Sequence, residues 1–117
     1  MLKIYYDKDA DLNVLKGKKI AIVLDTLMNE SAVSIAKEAS LLICESSFSK
    51  DEKDKAQEYF HLTAEQAAGI AKKANAKQLI LVHLSQRYDK NENKILAEAK
   101  KIFPKTKIAD DFMKLEV

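Results

Sequence analysis

The sequence predicts an α/β domain in which helices cover a parallel β-sheet. Three unbroken apolar runs, "KIAIVLD", "LLICESSF" and "KQLILVHLS", read as buried strands. Segments with helical spacing separate them, in the order strand, helix, strand, two helices, strand, helix, strand. Each run also turns polar at its C-terminal end, where α/β sheets carry their ligand-binding residues. Parallel neighbours in such an order require right-handed crossovers.

The elements follow in turn. "KIYY" near the start reads as a short strand, and the polar "DKDADLNVLKGK" as a loop with Gly17 as its turn residue. "KIAIVLD" has no helical period and reads as a strand buried on both faces. In "NESAVSIAKEA", Asn29 is the expected N-cap, and Ala32, Val33, Ile35 and Ala36 form the apolar stripe. "SKDEKDKAQEYF" reads as a charged helix capped by Ser49, with Glu52 completing a capping box. "TAEQAAGIAKKANA" is the clearest helix. Thr63 caps it, Gln66 occupies the box position, and Ala67, Ala68, Ile70, Ala71 and Ala74 line one face. "NENKILAEAKKIF" is a helix stopped by Pro104, and "TKIADDFMKLEV" reads as a terminal strand.

Bulk properties narrow the function classes. A chain of 117 residues, 47% hydrophobic and 32% charged, has the composition of one soluble domain with a modest core. Twenty basic against 18 acidic residues argue neither for nor against nucleic acid. A single cysteine, Cys44, excludes an internal disulfide and fits a reducing cytoplasm. No apolar run approaches the roughly 20 residues of a membrane span, and the N-terminus has no signal-peptide pattern, so no membrane partner is expected.

The candidate chemistry lies at the strand ends. If the strands are parallel, Asp25, Glu45 and His83 share one sheet edge, and His61 lies just before a capped helix that reaches the same edge. Carboxylates and imidazoles together are ordinary zinc ligands. Taken singly, each residue also has a structural reading. Asp25 could cap a turn or helix, Glu45 could be a solvated carboxylate, His61 could be a loop residue, and His83 could be a bonded core histidine. Arg87 could pair with Asp89, and Cys44 could be an inert buried thiol.

Two resemblances bear on the choice. "YYDKDADLNVLKGKKIAIV" resembles the lead-in of ketol-acid reductoisomerases. A dinucleotide site then needs glycines, and the strand continues as "LDTLMNE" without one, so NAD(P) is not expected. From Gly17 onward, the sequence resembles the C-terminal part of ribonuclease Z, the tRNA 3′-processing endonuclease family of the metallo-β-lactamase superfamily. "GKKIAIVLDT" is similar to the family's Gly-Asp-Thr strand, with Leu24 in place of glycine. "LLICESSF" is similar to its His-Glu-Ala-Thr motif, with Cys44 in place of histidine. "YFHLTAEQAAGIAKKANAKQLILVHLSQRY" resembles its His-Ser-Thr helix and last metal-binding strand, with Leu62 in place of serine. "IFPKTKIADDFMKLEV" resembles its closing segment.

The resemblance implies about half of an αββα sandwich: residues 1–117 as a single domain, one sheet with helices on one face, and residues 1–16 as a lead-in. It implies that Asp25 and His83 are zinc ligands. It also implies that His61, oriented by Glu45, protonates the leaving 3′-oxygen or stabilises its charge, and that Ser85 and Arg87 hold phosphate or brace the site. The complete site would hold two zinc ions and act on precursor tRNA. The superfamily's His-x-His-x-Asp-His motif is missing from this sequence, which has two histidines. Asp25 and His83 alone are too few for a dinuclear centre, so this chain by itself is expected to hold no zinc pair. The favoured expectation is a split or truncated ribonuclease Z half, inactive until an N-terminal half supplies the motif. Self-association through an exposed sheet face, a non-catalytic oligomerisation domain, and part of another hydrolase of the superfamily are the alternatives.

Overall fold

The computed structural model describes residues 16–117. The "KIYY" strand and most of the lead-in loop lie outside them. Gly17 takes φ +76°, the left-handed conformation that only glycine adopts freely, so the expected turn is present there.

Four strands form one sheet: β1 (Ile20–Val23), β2 (Leu41–Glu45), β3 (Leu79–Val82) and β4 (Thr106–Ile108). They lie in the order β1-β2-β3-β4 and all pair in parallel. The helices are α1 (Glu30–Ala36), α2 (Lys53–Glu58), α3 (Ala64–Lys73) and α4 (Glu92–Ile102). This is the predicted alternation. Because register pairs Val23 with Cys44 and Glu45 with Val82, the strand ends are level, and the segments that follow them emerge along one edge.

Alternate strand residues build the core. Ala21, Val23, Leu42, Cys44, Leu79 and Leu81 point to the helix side, where they cluster with Ala32, Ala36, Ala67, Ala68, Ile70, Ala71, Ile95 and Ala99. The alanine face of α3 has the least side-chain bulk, so α4 and the sheet can approach it closely. Its N-terminus carries the full capping box: Thr63 accepts from the Gln66 N–H, and the Gln66 side chain accepts from the Thr63 N–H. Asn29 caps α1 by accepting from the Ala32 N–H.

Four expectations need correction. β1 is not buried on both faces. It is an edge strand whose outward residues stay open to solvent, Ile22 at 58% exposure beside Ile20 and Leu24. Ile35 is not part of the buried stripe of α1 but is 54% exposed, because the short helix turns only Ala32 and Ala36 fully inward. The charged segment begins as a 3-10 turn, Lys50–Glu52, before α2. Ser49 caps that turn through the Asp51 N–H, but Glu52 completes no box, because its carboxylate is taken by distant partners. Finally, the terminal strand is only Thr106–Ile108. Among the described residues, no helix is long and apolar enough to cross a membrane.

Candidate metal and acid–base site

The carboxyl edge of the sheet gathers Asp25, Glu45, His61 and His83, one ligand atom of each lying within 4.8 Å of all the others. Asp25 follows β1, Glu45 ends β2, and His83 follows β3. His61 sits between α2 and α3, brought in by the Phe48–Thr63 bridge and the Glu45 carboxylate.

Glu45 is the fulcrum. It is fully buried, and its Oε1 accepts the Leu62 backbone N–H at 2.6 Å. Its Oε2 lies 2.8 Å from His61 Nδ1 and 3.5 Å from His83 Nδ1. A carboxylate can only accept, so His61 donates from Nδ1 and keeps Nε2 free. Asp25 Oδ1 lies 3.6 Å from His83 Nδ1 and 3.8 Å from His61 Nδ1, and its side chain is largely exposed. The two imidazole rings meet edge-on at 5.2 Å.

Asp25 and His83 both hold positive φ, +49° and +58°. Left-handed backbone costs a non-glycine residue about 1–2 kcal/mol. Such outliers gather where surrounding structure holds a side chain in a functional orientation. No feature of the sequence pattern pointed to them.

The structure brings Asp25, Glu45, His61 and His83 together, and it gives Ser85 and Arg87 different surroundings. Ser85 lines a shallow groove of about 290 Å³ with Ser47, Phe48, Tyr59, His61, His83 and Leu84. Arg87 is turned to Glu52 rather than to Asp89. It also donates from Nε to Ser85 Oγ at 3.2 Å and lies over the Phe48 ring at 5.2 Å. It therefore braces the groove wall. Sequence reasoning missed Ser47, whose hydroxyl donates to the His83 carbonyl oxygen at 3.0 Å and lies 3.2 Å from His83 Nδ1. The polar "ESS" run after β2 was the available signal. It also missed Tyr88, which accepts from the Ser49 N–H at 2.9 Å and donates to Glu52. Cys44, in the position of the motif histidine, is buried on the helix side of the sheet. Burial pushes its thiol up to about 12, with Glu45 adding to the shift, so it is a poor nucleophile and ligand.

The bracing cluster has a pH signature. Hydrogen bonds from Tyr88 and then Lys55, with Arg87 nearby, bring the Glu52 carboxyl down to about 2 from an ordinary 4.5. A depressed folded value means that the stability from this carboxylate is present above about 4.5 and is lost as pH falls toward about 2. Glu52→Gln should therefore lower stability by roughly 1 kcal/mol near neutrality, the small size reflecting solvent screening. Denaturant titrations at several pH values should show that difference vanish on acidification; a gap that persists to the acid limit would contradict the assignment.

The four-stranded parallel sheet with its covering helices matches part of the metallo-β-lactamase fold. It superposes on the metallo-beta-lactamase fold protein YhfI from Bacillus subtilis with TM-score 0.72 and 28% identity, covering 80% of this chain and 38% of that one. Within that class the chain is similar to part of ribonuclease Z. It is 46% identical to ribonuclease Z of Archaeoglobus fulgidus over 102 residues, and 47% identical to that of Protochlamydia amoebophila over 100 residues. These matches cover 87% and 86% of this chain but 33% and 32% of the relatives. Human tRNase Z, short form, matches with TM-score 0.62 and 35% identity, over 82% of this chain and 32% of that one. The chain thus spans about a third of the length of the curated relatives it matches. No protein-family model matches it.

Proposed function

We propose that this chain supplies the C-terminal portion of a ribonuclease Z-like zinc phosphodiesterase that removes the 3′ trailer of precursor tRNA. An N-terminal portion carrying His-x-His-x-Asp-His would complete the site. The observation that carries this reading is the 2.8 Å Glu45–His61 pair beside Asp25 and His83, in a chain whose relatives are ribonuclease Z.

The donor set fits zinc, since imidazole nitrogen and carboxylate oxygen are its usual ligands. Asp25 and His83 would hold it, because Glu45 and His61 are paired with each other at 2.8 Å. When bound, zinc supplies polarisation of the phosphodiester and lowers the pKa of a water at the site. The remaining work falls to this chain. Glu45 holds the His61 ring through Nδ1, so His61 presents Nε2 and, once protonated there, gives that proton to the leaving 3′-oxygen. Without it, an alkoxide would have to depart uncompensated. Phe48, with Arg87 stacked over its ring, forms one wall of the groove, and Ser85 supplies a hydroxyl for a phosphate oxygen.

The exposed Ile20, Ile22 and Leu24 on the outward side of β1 favour a second body against that face, and the N-terminal portion of the same enzyme is the partner of choice. The reading is tested by mixing the purified chain with an N-terminal portion bearing the missing motif and assaying precursor-tRNA trailer cleavage with zinc present. Cleavage that needs both portions is expected. A folded, zinc-containing complex that leaves the trailer intact would defeat the proposal.

A further inference from the structure

We propose that the amino edge of the sheet, opposite the acid–histidine cluster, carries a lysine-lined groove that grips the phosphate backbone of RNA. The choice of RNA among polyanions rests on the ribonuclease Z-like reading; the groove itself does not.

Three chain segments build the groove. Lys77 precedes β3, Lys100 stands in the last turn of α4, and Lys105 and Lys107 lie at the start of β4. All four are exposed, over a floor of buried Leu79, Ile80 and Thr106. The groove holds about 490 Å³ and adjoins a second of about 530 Å³ through shared Lys77, Pro104 and Lys105. Its rim is tied to the sheet: the Lys77 N–H donates to the Ala39 oxygen, and the Lys105 oxygen accepts from the Leu79 N–H, both at 2.9 Å. At about 3.3 Å per strand residue, it lies roughly 13 Å from the acid–histidine cluster.

Charge carries the argument. No carboxylate lines the first groove. Glu38, in the second, is held by the Asn75 amide, which donates to its two oxygens at 3.0 and 3.1 Å. Among the described residues, the lysines and arginine paired with carboxylates are Lys55, Arg87 and Lys94, none of them in the groove. The chain carries a formal charge of only +2, so four unpaired lysines around one groove are a local excess. Bringing like charges together opposes folding. Lys100 alone is offset locally, by the C-terminal end of the α4 dipole. A row of phosphates would offset all four. A single small anion would fill little of so large a groove, whereas an RNA backbone carries a charge at every nucleotide.

The test uses the full chain and a mature tRNA, which has no trailer to remove. Fluorescence anisotropy follows binding between about 50 and 200 mM salt. Lys77→Gln combined with Lys105→Gln should weaken binding about tenfold or more at low salt. It should also flatten the slope of log affinity against log salt by about 1.5–2, the loss of two phosphate contacts. Lys53→Gln combined with Lys90→Gln removes the same charge away from the groove and should leave most of the affinity and slope in place. Circular dichroism verifies that both variants are folded. No binding of mature tRNA, an unchanged slope in the folded groove variant, or an equal loss in the control would overturn the proposal. Trailer cleavage is a separate readout. Its failure in the complete enzyme, with the salt signature intact, would remove the ribonuclease reading and leave an RNA-gripping groove; cleavage without that signature would do the reverse.

Discussion

In the complete, zinc-loaded enzyme, His61→Ala should slow trailer cleavage by about 10²–10⁴-fold, the usual contribution of a positioned general acid. The fall should appear in kcat, with KM for precursor tRNA little changed, because the proton transfer matters only as the bond breaks. Zinc content should also be unchanged once the N-terminal ligands are in place. The leaving group offers a sharper discrimination. A tRNA 3′-alkoxide needs a proton, whereas the phenolate of an activated aryl phosphodiester departs without one. The variant should therefore cleave the aryl ester at close to the parent rate while failing on tRNA. Equal losses on both substrates would mean that His61 supports the site's structure rather than donating a proton.

Glu45→Ala should destabilise the isolated chain by about 3 kcal/mol, since it strands the buried Leu62 N–H, leaves His61 Nδ1 unpaired and opens a void at the strand end. Glu45→Gln separates that structural role from the chemical one. Its carbonyl oxygen can still accept from Leu62, so most of the stability should return in denaturant titrations. The amide NH2 would then face His61 Nδ1, which must become an acceptor and move its proton to Nε2. Cleavage by the complete enzyme should fall about 10–100-fold for this change in orientation and tautomer. Full activity in Glu45→Gln would show that the carboxylate does not set the ring.

Much of the fold was legible because it rests on local signals. Unbroken apolar runs marked β1, β2 and β3. Asn29, Ser49 and the Thr63–Gln66 box marked where backbone N–H groups need side-chain partners. The four site residues were legible as polar groups at apolar strand ends. Glu52 marks where this reading failed. Local spacing offered it a capping role, but its carboxylate went to Tyr88 and Arg87, which are remote in the chain and stronger partners than a single backbone N–H. Ile35 failed for a related reason: a short helix has an apolar stripe only as wide as the surface it meets.

The sequence by itself determined which residue types stand at the ends of which elements, because apolar periodicity and caps act over a few residues. Only the tertiary structure decided that Asp25, Glu45, His61 and His83 meet within 4.8 Å. That convergence depends on parallel register across β1, β2 and β3, on left-handed backbone at Asp25 and His83, and on the Leu62 N–H aiming Glu45. The physical reason is range. Propensity and capping are written in neighbouring residues, whereas a site's geometry is set by the crossovers that carry distant residues to one edge.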